Sequence, residues 1–209
     1  MVHPGRSVLQ MSNADNRSSA GSARPQKAPY ISKGASISAC GKYRYLLWRE
    51  WRGTHDPKHW EWMGFKDGAG HEMGEPRSVL FVMLNPSTAD GDIDDATIRR
   101  CVGFAKAWNY ERLEVVNLYA YRATKPKDLF AAGEEMYGPR NQEVIERAVR
   151  SAGIIICGWG AHANDYWAEN VRGWMHMKRH HALGFTRSGQ PRHPLYLPAD
   201  AKPVLMPGS

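Results

Sequence analysis

The sequence predicts an α/β protein, three layers deep (α/β/α), around a central, mainly parallel four-stranded sheet. Two observations carry most of that expectation. Residues 78–84 (SVLFVML) and 154–157 (IIIC) are apolar almost throughout, as strands buried on both faces of a parallel sheet are. Stretches with helical spacing separate these runs from two further strand-like segments, so the order reads β-α-β-α-β-α-β. Such alternation implies right-handed crossovers, with helices on both faces of the sheet.

Residues 1–38 are rich in Ser, Gly, Ala, Asn and Pro and lack hydrophobic periodicity, which predicts a disordered basic tail. Order is expected to begin at residues 43–51 (YRYLLWREW), an aromatic, partly alternating stretch that suits an edge strand or a short helix. Residues 53–76 read as a polar, Gly-rich loop or hairpin carrying Trp60 and Trp62. After the strand at 78–84, a helix is expected over 95–108, capped by Asp94 or Asp95 with acids in its first turn. Residues 113–119 form the second buried strand. Pro126 and Asp128 open a short helical or irregular segment. Val144, Ile145, Ala148 and Val149 then mark a helix over 141–151, closed by Gly153. The third strand, 154–157, ends in Gly158-Trp159-Gly160. A helix over 162–177, a weaker strand at 181–185 and a Gly- and Pro-rich loop over 186–198 follow. The expected organisation is one domain over 39–200, with a short tail at 201–209.

A chain of 209 residues is long enough to bury a core in one domain. Cys40, Cys101 and Cys157 are far apart and odd in number. They support neither a disulfide framework nor a structural zinc site, and they fit a cytoplasmic protein. The sequence has no apolar run of the roughly 20 residues that span a bilayer, and its first residues have no apolar signal core. A transit peptide shares their Arg and Ser content, but a plain tail is the simpler reading. The net charge of +7 gathers at the ends, with five basic residues against Asp15 in 1–36 and six against Asp200 in 172–209. Such a balance suits a nucleic-acid or nucleotide partner, or simply a solubilising surface.

Ligand sites in parallel sheets lie beyond the strands' carboxyl ends. That rule gathers residues 85–95, 117–124, 158–162 and 187–196. Asn85 offers both a donor and an acceptor, Pro86 stiffens the turn, and Ser87 and Thr88 can contact an anion near a helix start; ordinary capping is the alternative. The acids from Asp90 to Asp95 fail the calcium-loop pattern. A magnesium site on one or two of them is the alternative to helix capping, which is preferred, and no metal or other cofactor is expected. Asn117 interrupts an apolar strand, and a buried amide must be paired or offered to a ligand. Tyr119, Tyr121 and Arg122 supply stacking faces and a planar cation, or core packing in the case of Tyr119. His176, His180 and His181 lack a metalloprotease glutamate and read as a basic face or a phosphate contact. Arg187, Arg192 and His193 sit on a loop held by Gly189, Pro191 and Pro194. No P-loop, nucleophile elbow or GxGxxG turn is present.

Residues 84–90 (LNPSTAD), 94–100 (DDATIRR), 117–124 (NLYAYRAT) and 189–197 together resemble the bacterial family of domain of unknown function 1643, over roughly residues 40–200. A more distant resemblance is to the uracil-DNA glycosylase superfamily. It rests on Asn85-Pro86, on Asn117, on Trp159-Gly160-Ala161-His162-Ala163, and on Arg192-His193-Pro194-Leu195. Leu84 stands where that superfamily usually has Gly, and Leu195 where its loop has Ser.

The second resemblance implies a uracil-DNA-glycosylase-like fold and hydrolysis of the N-glycosidic bond of a flipped base, without a cofactor. Asn85 would orient water, His193 would stabilise charge on the base, and Asn117 would read the base. Pro86, Ser87, Tyr119 and Gly160 would complete the site, with Arg122, Arg187 and Arg192 holding phosphates. Two readings of other classes stand beside it: a non-catalytic nucleotide- or nucleic-acid-binding module, and a transferase acting on modified bases.

Overall fold

The computed structural model describes residues 30–51, 78–87 and 89–208. Trp60, Trp62, Thr88 and the first 29 residues of the expected tail lie outside the described residues. Four consecutive strands run parallel: β3 (Ser78–Met83), β4 (Arg112–Asn117), β5 (Ile154–Cys157) and β6 (His180–Ala182). They are not the whole sheet. Strand β2 (Arg44–Glu50) adds antiparallel to β4, β1 (Ser32–Ile37) adds antiparallel to β2, and β7 (Val204–Leu205) adds antiparallel to β6. The result is a mixed, seven-stranded sheet in the order β1-β2-β4-β3-β5-β6-β7.

The expectation of a four-stranded, mainly parallel, uracil-DNA-glycosylase-like sheet is therefore corrected. Its shortfall has a physical cause. Strand β1 (SKGASI) has few apolar residues, and its pairing with β2 satisfies backbone groups more than it buries side chains. Strand β7 is two residues long, below what periodicity detects. Covered by β1 on one side and β4 on the other, β2 is an interior strand rather than an edge.

Successive side chains along the buried central strands pack on opposite faces of the sheet. Val79 and Phe81 of β3, with Leu113 and Val115 of β4, pack against Ile98, Cys101, Phe104 and Ala105 of α1 (Ala96–Ala107). On the opposite face Leu80, Val82, Val116 and Ile155 meet Val144, Ile145, Ala148 and Val149 of α3 (Asn141–Ser151) and Ala168 and Val171 of α4 (Asp165–Trp174). A short α2 (Pro126–Ala131) leads from β4 toward α3. Asp95 caps α1 through Ile98 N–H, but the first turn of α1 itself holds no acid. Ala152, not Gly153, caps α3.

From β3 the chain crosses to β4 on one side, then returns past β3 to β5 on the other. The connection after β3 leads to α1 on one face; that after β5 leads to α4 on the other. A crevice opens where they diverge.

Candidate functional site

The crevice is a cleft of about 620 Å³, within the usual size range of small-molecule sites. Of the residues singled out from sequence, Asn85, Ser87, Asn117, Gly160, Arg192 and His193 line it. The other four do not. Pro86 is buried in the turn, where its carbonyl accepts from Asn85 Nδ2 and Ala123 N–H. Tyr119 is fully buried against Phe130 and Tyr137. Arg122 turns away to Gly41 O, and Arg187 is exposed near the tip of the 184–192 hairpin.

The loop after β3 is fixed by its own amides. Asn85 Nδ2 donates to Ala123 O at 2.7 Å and Pro86 O at 3.0 Å, so its Oδ1 is the atom left for a visitor. Ser87 donates to Asp95 Oδ2 at 2.5 Å, while Asp95 Oδ1 accepts from Ile98 N–H at 2.8 Å. A carboxylate thus already occupies the positive end of α1.

The opposite wall comes from the loop after β5 and the segment that covers it. Gly160 has φ +78° and donates its N–H to Pro191 O; that backbone region favours glycine. A side chain at Gly158 would lie 2.9 Å from Pro194. Trp159 Nε1 holds Gln190 Oε1 at 2.6 Å, and Gln190 in turn holds Asp165 at the start of α4. These contacts bring His193 into the cleft. Its Nδ1 accepts from Leu195 N–H at 3.3 Å, which leaves Nε2 as the donor. Burial holds its pKa below the ordinary histidine value, opposed by the nearby Asp95 charge. Arg192 and the 74% exposed Tyr196 stand at the rim.

Two polar side chains form the floor, both almost fully enclosed. Asn117 is 1% exposed, and neither Oδ1 nor Nδ2 has a hydrogen-bond partner among the described residues. Arg44, from β2, is 3% exposed and donates through Nη1 to Ala89 O at 2.7 Å. Its Nε has no partner among the described residues. Burial pushes its pKa down to about 10, with the Asp95 charge working in the other direction. Sequence reasoning singles out Asn117, whose amide breaks an apolar run. It passes over Arg44, which sits near Arg49 in an aromatic strand and shows nothing of its depth.

Among the described residues no group of three or more His, Cys, Asp or Glu side chains could hold a metal ion. No helix of the described residues is long and apolar enough to cross a membrane.

The glycosylase and hydrolase expectation does not survive the fold. It depended on a four-stranded architecture, whereas the chain builds a mixed sheet of seven strands. The short motifs behind it have local structural roles here: Asn85-Pro86 closes a turn, Trp159-Gly160 anchors Gln190 and Pro191, and His193-Pro194 starts a 3-10 turn over Pro194–Tyr196. No curated protein and no solved structure matches the chain. Residues 44–195 match a family model described as "Protein of unknown function (DUF1643)", and the chain belongs to that family.

Proposed function

We propose that this domain is a nucleotide-binding module, non-catalytic, that takes a nucleotide into the cleft with the base at its floor. The observation that carries the reading is the Asn117 amide, buried and without a partner among the described residues, in a cavity of ligand size. Leaving such a group unpaired costs about 1–3 kcal/mol. A ligand edge offering a donor and an acceptor side by side removes that cost, and nucleobase edges have this pattern.

The remaining groups suit the same ligand. Asn85 Oδ1 adds an acceptor and the His193 Nε2–H a donor. Gly160 and Ser87 bring small, close walls to the base. Tyr196 at the rim offers a stacking face, and Arg192 is a planar cation for the phosphate. Both lie outside the enclosed floor, where a charged phosphate stays hydrated.

Isothermal titration calorimetry with a panel of nucleoside monophosphates tests the reading. Micromolar to millimolar binding to the wild-type chain, weakened at least tenfold in Asn117→Leu, is the expected result. No binding of any nucleotide, or equal affinity in the variant, overturns it.

A further inference from the structure

Arg44 carries information about the ligand that Asn117 does not. Its guanidinium has one bond to the described residues, from Nη1 to Ala89 O. The side-on pair of the fork, Nε–H and Nη2–H, donates to no acceptor among the described residues, and Nε is buried. A guanidinium offers donors only and accepts nothing. Whatever meets this fork must therefore present oxygen or unprotonated ring nitrogen rather than an amino group.

The charge around the fork narrows the choice further. The Asp95 carboxylate favours the charged form of Arg44, as Asp90 does, while Arg122 and Arg49 act against it. Asp95 is held in place by Ser87 and Ile98 N–H. It stands against any second anion at the floor. A phosphate or carboxylate fits such a floor poorly. A neutral carbonyl oxygen fits it well, since it accepts from the fork without adding charge. Among the described residues, Arg192 at the rim has no such carboxylate bonded beside it.

We infer that the cleft selects nucleobases carrying an exocyclic oxo group (6-oxopurines and 4-oxopyrimidines) over their amino counterparts, with the Arg44 fork as the selecting group. This rests on the nucleotide reading of the same cleft. An amino group in place of the oxo points N–H donors at N–H donors and leaves the buried fork unpaired. A bidentate contact of this kind discriminates by about tenfold or more.

The test uses ligand pairs that differ in that group and, with it, in the proton on the neighbouring ring nitrogen: inosine against adenosine monophosphate, and uridine against cytidine monophosphate. Calorimetry on the full chain is expected to show the oxo member bound at least tenfold tighter in one pair or both. Arg44→Lys keeps the charge but lacks the fork, and should bring that ratio to within about threefold, with its melting curve as the control for folding. Binding without preference, or preference for the amino members, overturns the inference and leaves the nucleotide reading standing. Binding of none of the four overturns both. The wild-type ratio decides the base preference even if Arg44→Lys does not fold.

Discussion

Arg49 reaches Asp94 across 2.7 Å, from a side chain with no exposed surface to one that is 16% exposed. The contact fastens β2 to the loop that leads into α1, and therefore to Asp95 at the cleft. The same guanidinium donates to Asp90 O and Trp48 O at 2.8 Å each. Tyr30 adds its hydroxyl to Asp94 Oδ2 at 2.5 Å, and its pKa lies well above the phenol range because of burial and that carboxylate. Tyr30 is therefore a neutral donor throughout the working pH range.

Removing one member of this network strands the rest. Arg49→Ala is expected to destabilise the protein by about 3–5 kcal/mol, since it leaves a partly buried carboxylate and several carbonyls unmatched. Tyr30→Phe removes one hydrogen bond to a charged group and should cost about 1.5–3 kcal/mol. Urea unfolding followed by tryptophan fluorescence measures both. A loss below 1 kcal/mol for Arg49→Ala would show that the loop does not depend on this ion pair.

Asn117 makes the opposite prediction for stability. An amide beside Met83 and Val115 with no partner among the described residues weakens the empty protein. Asn117→Leu should therefore leave stability unchanged or raise it by about 1–2 kcal/mol. Most buried substitutions do the reverse. A clear drop in the urea midpoint would mean that the amide is structurally satisfied and not held for a ligand.

The contrast between Asn117 and Arg44 shows what the sequence makes legible. The apolar strands β3 and β5 announce themselves because burial on both faces leaves little room for polar residues. An amide inside β4 is conspicuous for the same reason. Arg44 is hidden because a long cation in a strand ordinarily extends its charge to water; its burial depends on Ala89, Asp95 and a strand order that no local pattern encodes. β1 escapes notice because Ser32, Lys33 and Gly34 pair through backbone. The glycosylase likeness misleads because Asn-Pro, Trp-Gly and His-Pro are good turn chemistry at the ends of any parallel strands.

The glycines after β5 should separate crowding from backbone strain. At Gly158 a methyl group would meet Pro194 Cδ at 2.9 Å and Met83 Sδ at 3.2 Å. At Gly160 the nearest atom is His193 Cβ at 3.6 Å, but φ is +78°. Gly158→Ala should cost about 1–3 kcal/mol by overpacking and shift the His193 loop. Gly160→Ala should cost about 1–2 kcal/mol through backbone conformation alone. Backbone amide shifts at residues 192–196 are expected to move more in Gly158→Ala. Equal movement in both variants would contradict the packing of Pro194 against β5.

Acidification acts through three histidines. His180, His181 and His193 all have pKa values held below the ordinary 6.5, chiefly by burial. The unfolded chain therefore binds protons at these sites at a higher pH than the folded chain does. Stability is fully present above the unfolded value and falls as the pH drops below about 6.5. The loss ends once the pH passes below the folded values. The urea midpoint is expected to be flat from pH 8 to 7 and to decline from pH 6.5 downward, with His193→Gln reducing the slope. His193 carries a further consequence, because its protonation puts a cation beside Asp95 and ends the acceptor role of Nδ1 toward Leu195 N–H. The 3-10 turn at the cleft rim should then loosen before global unfolding, seen as faster amide exchange at Leu195 as the pH falls below 6.5. Exchange at Leu195 that is independent of pH beyond the intrinsic rate would show that His193 does not cap the turn.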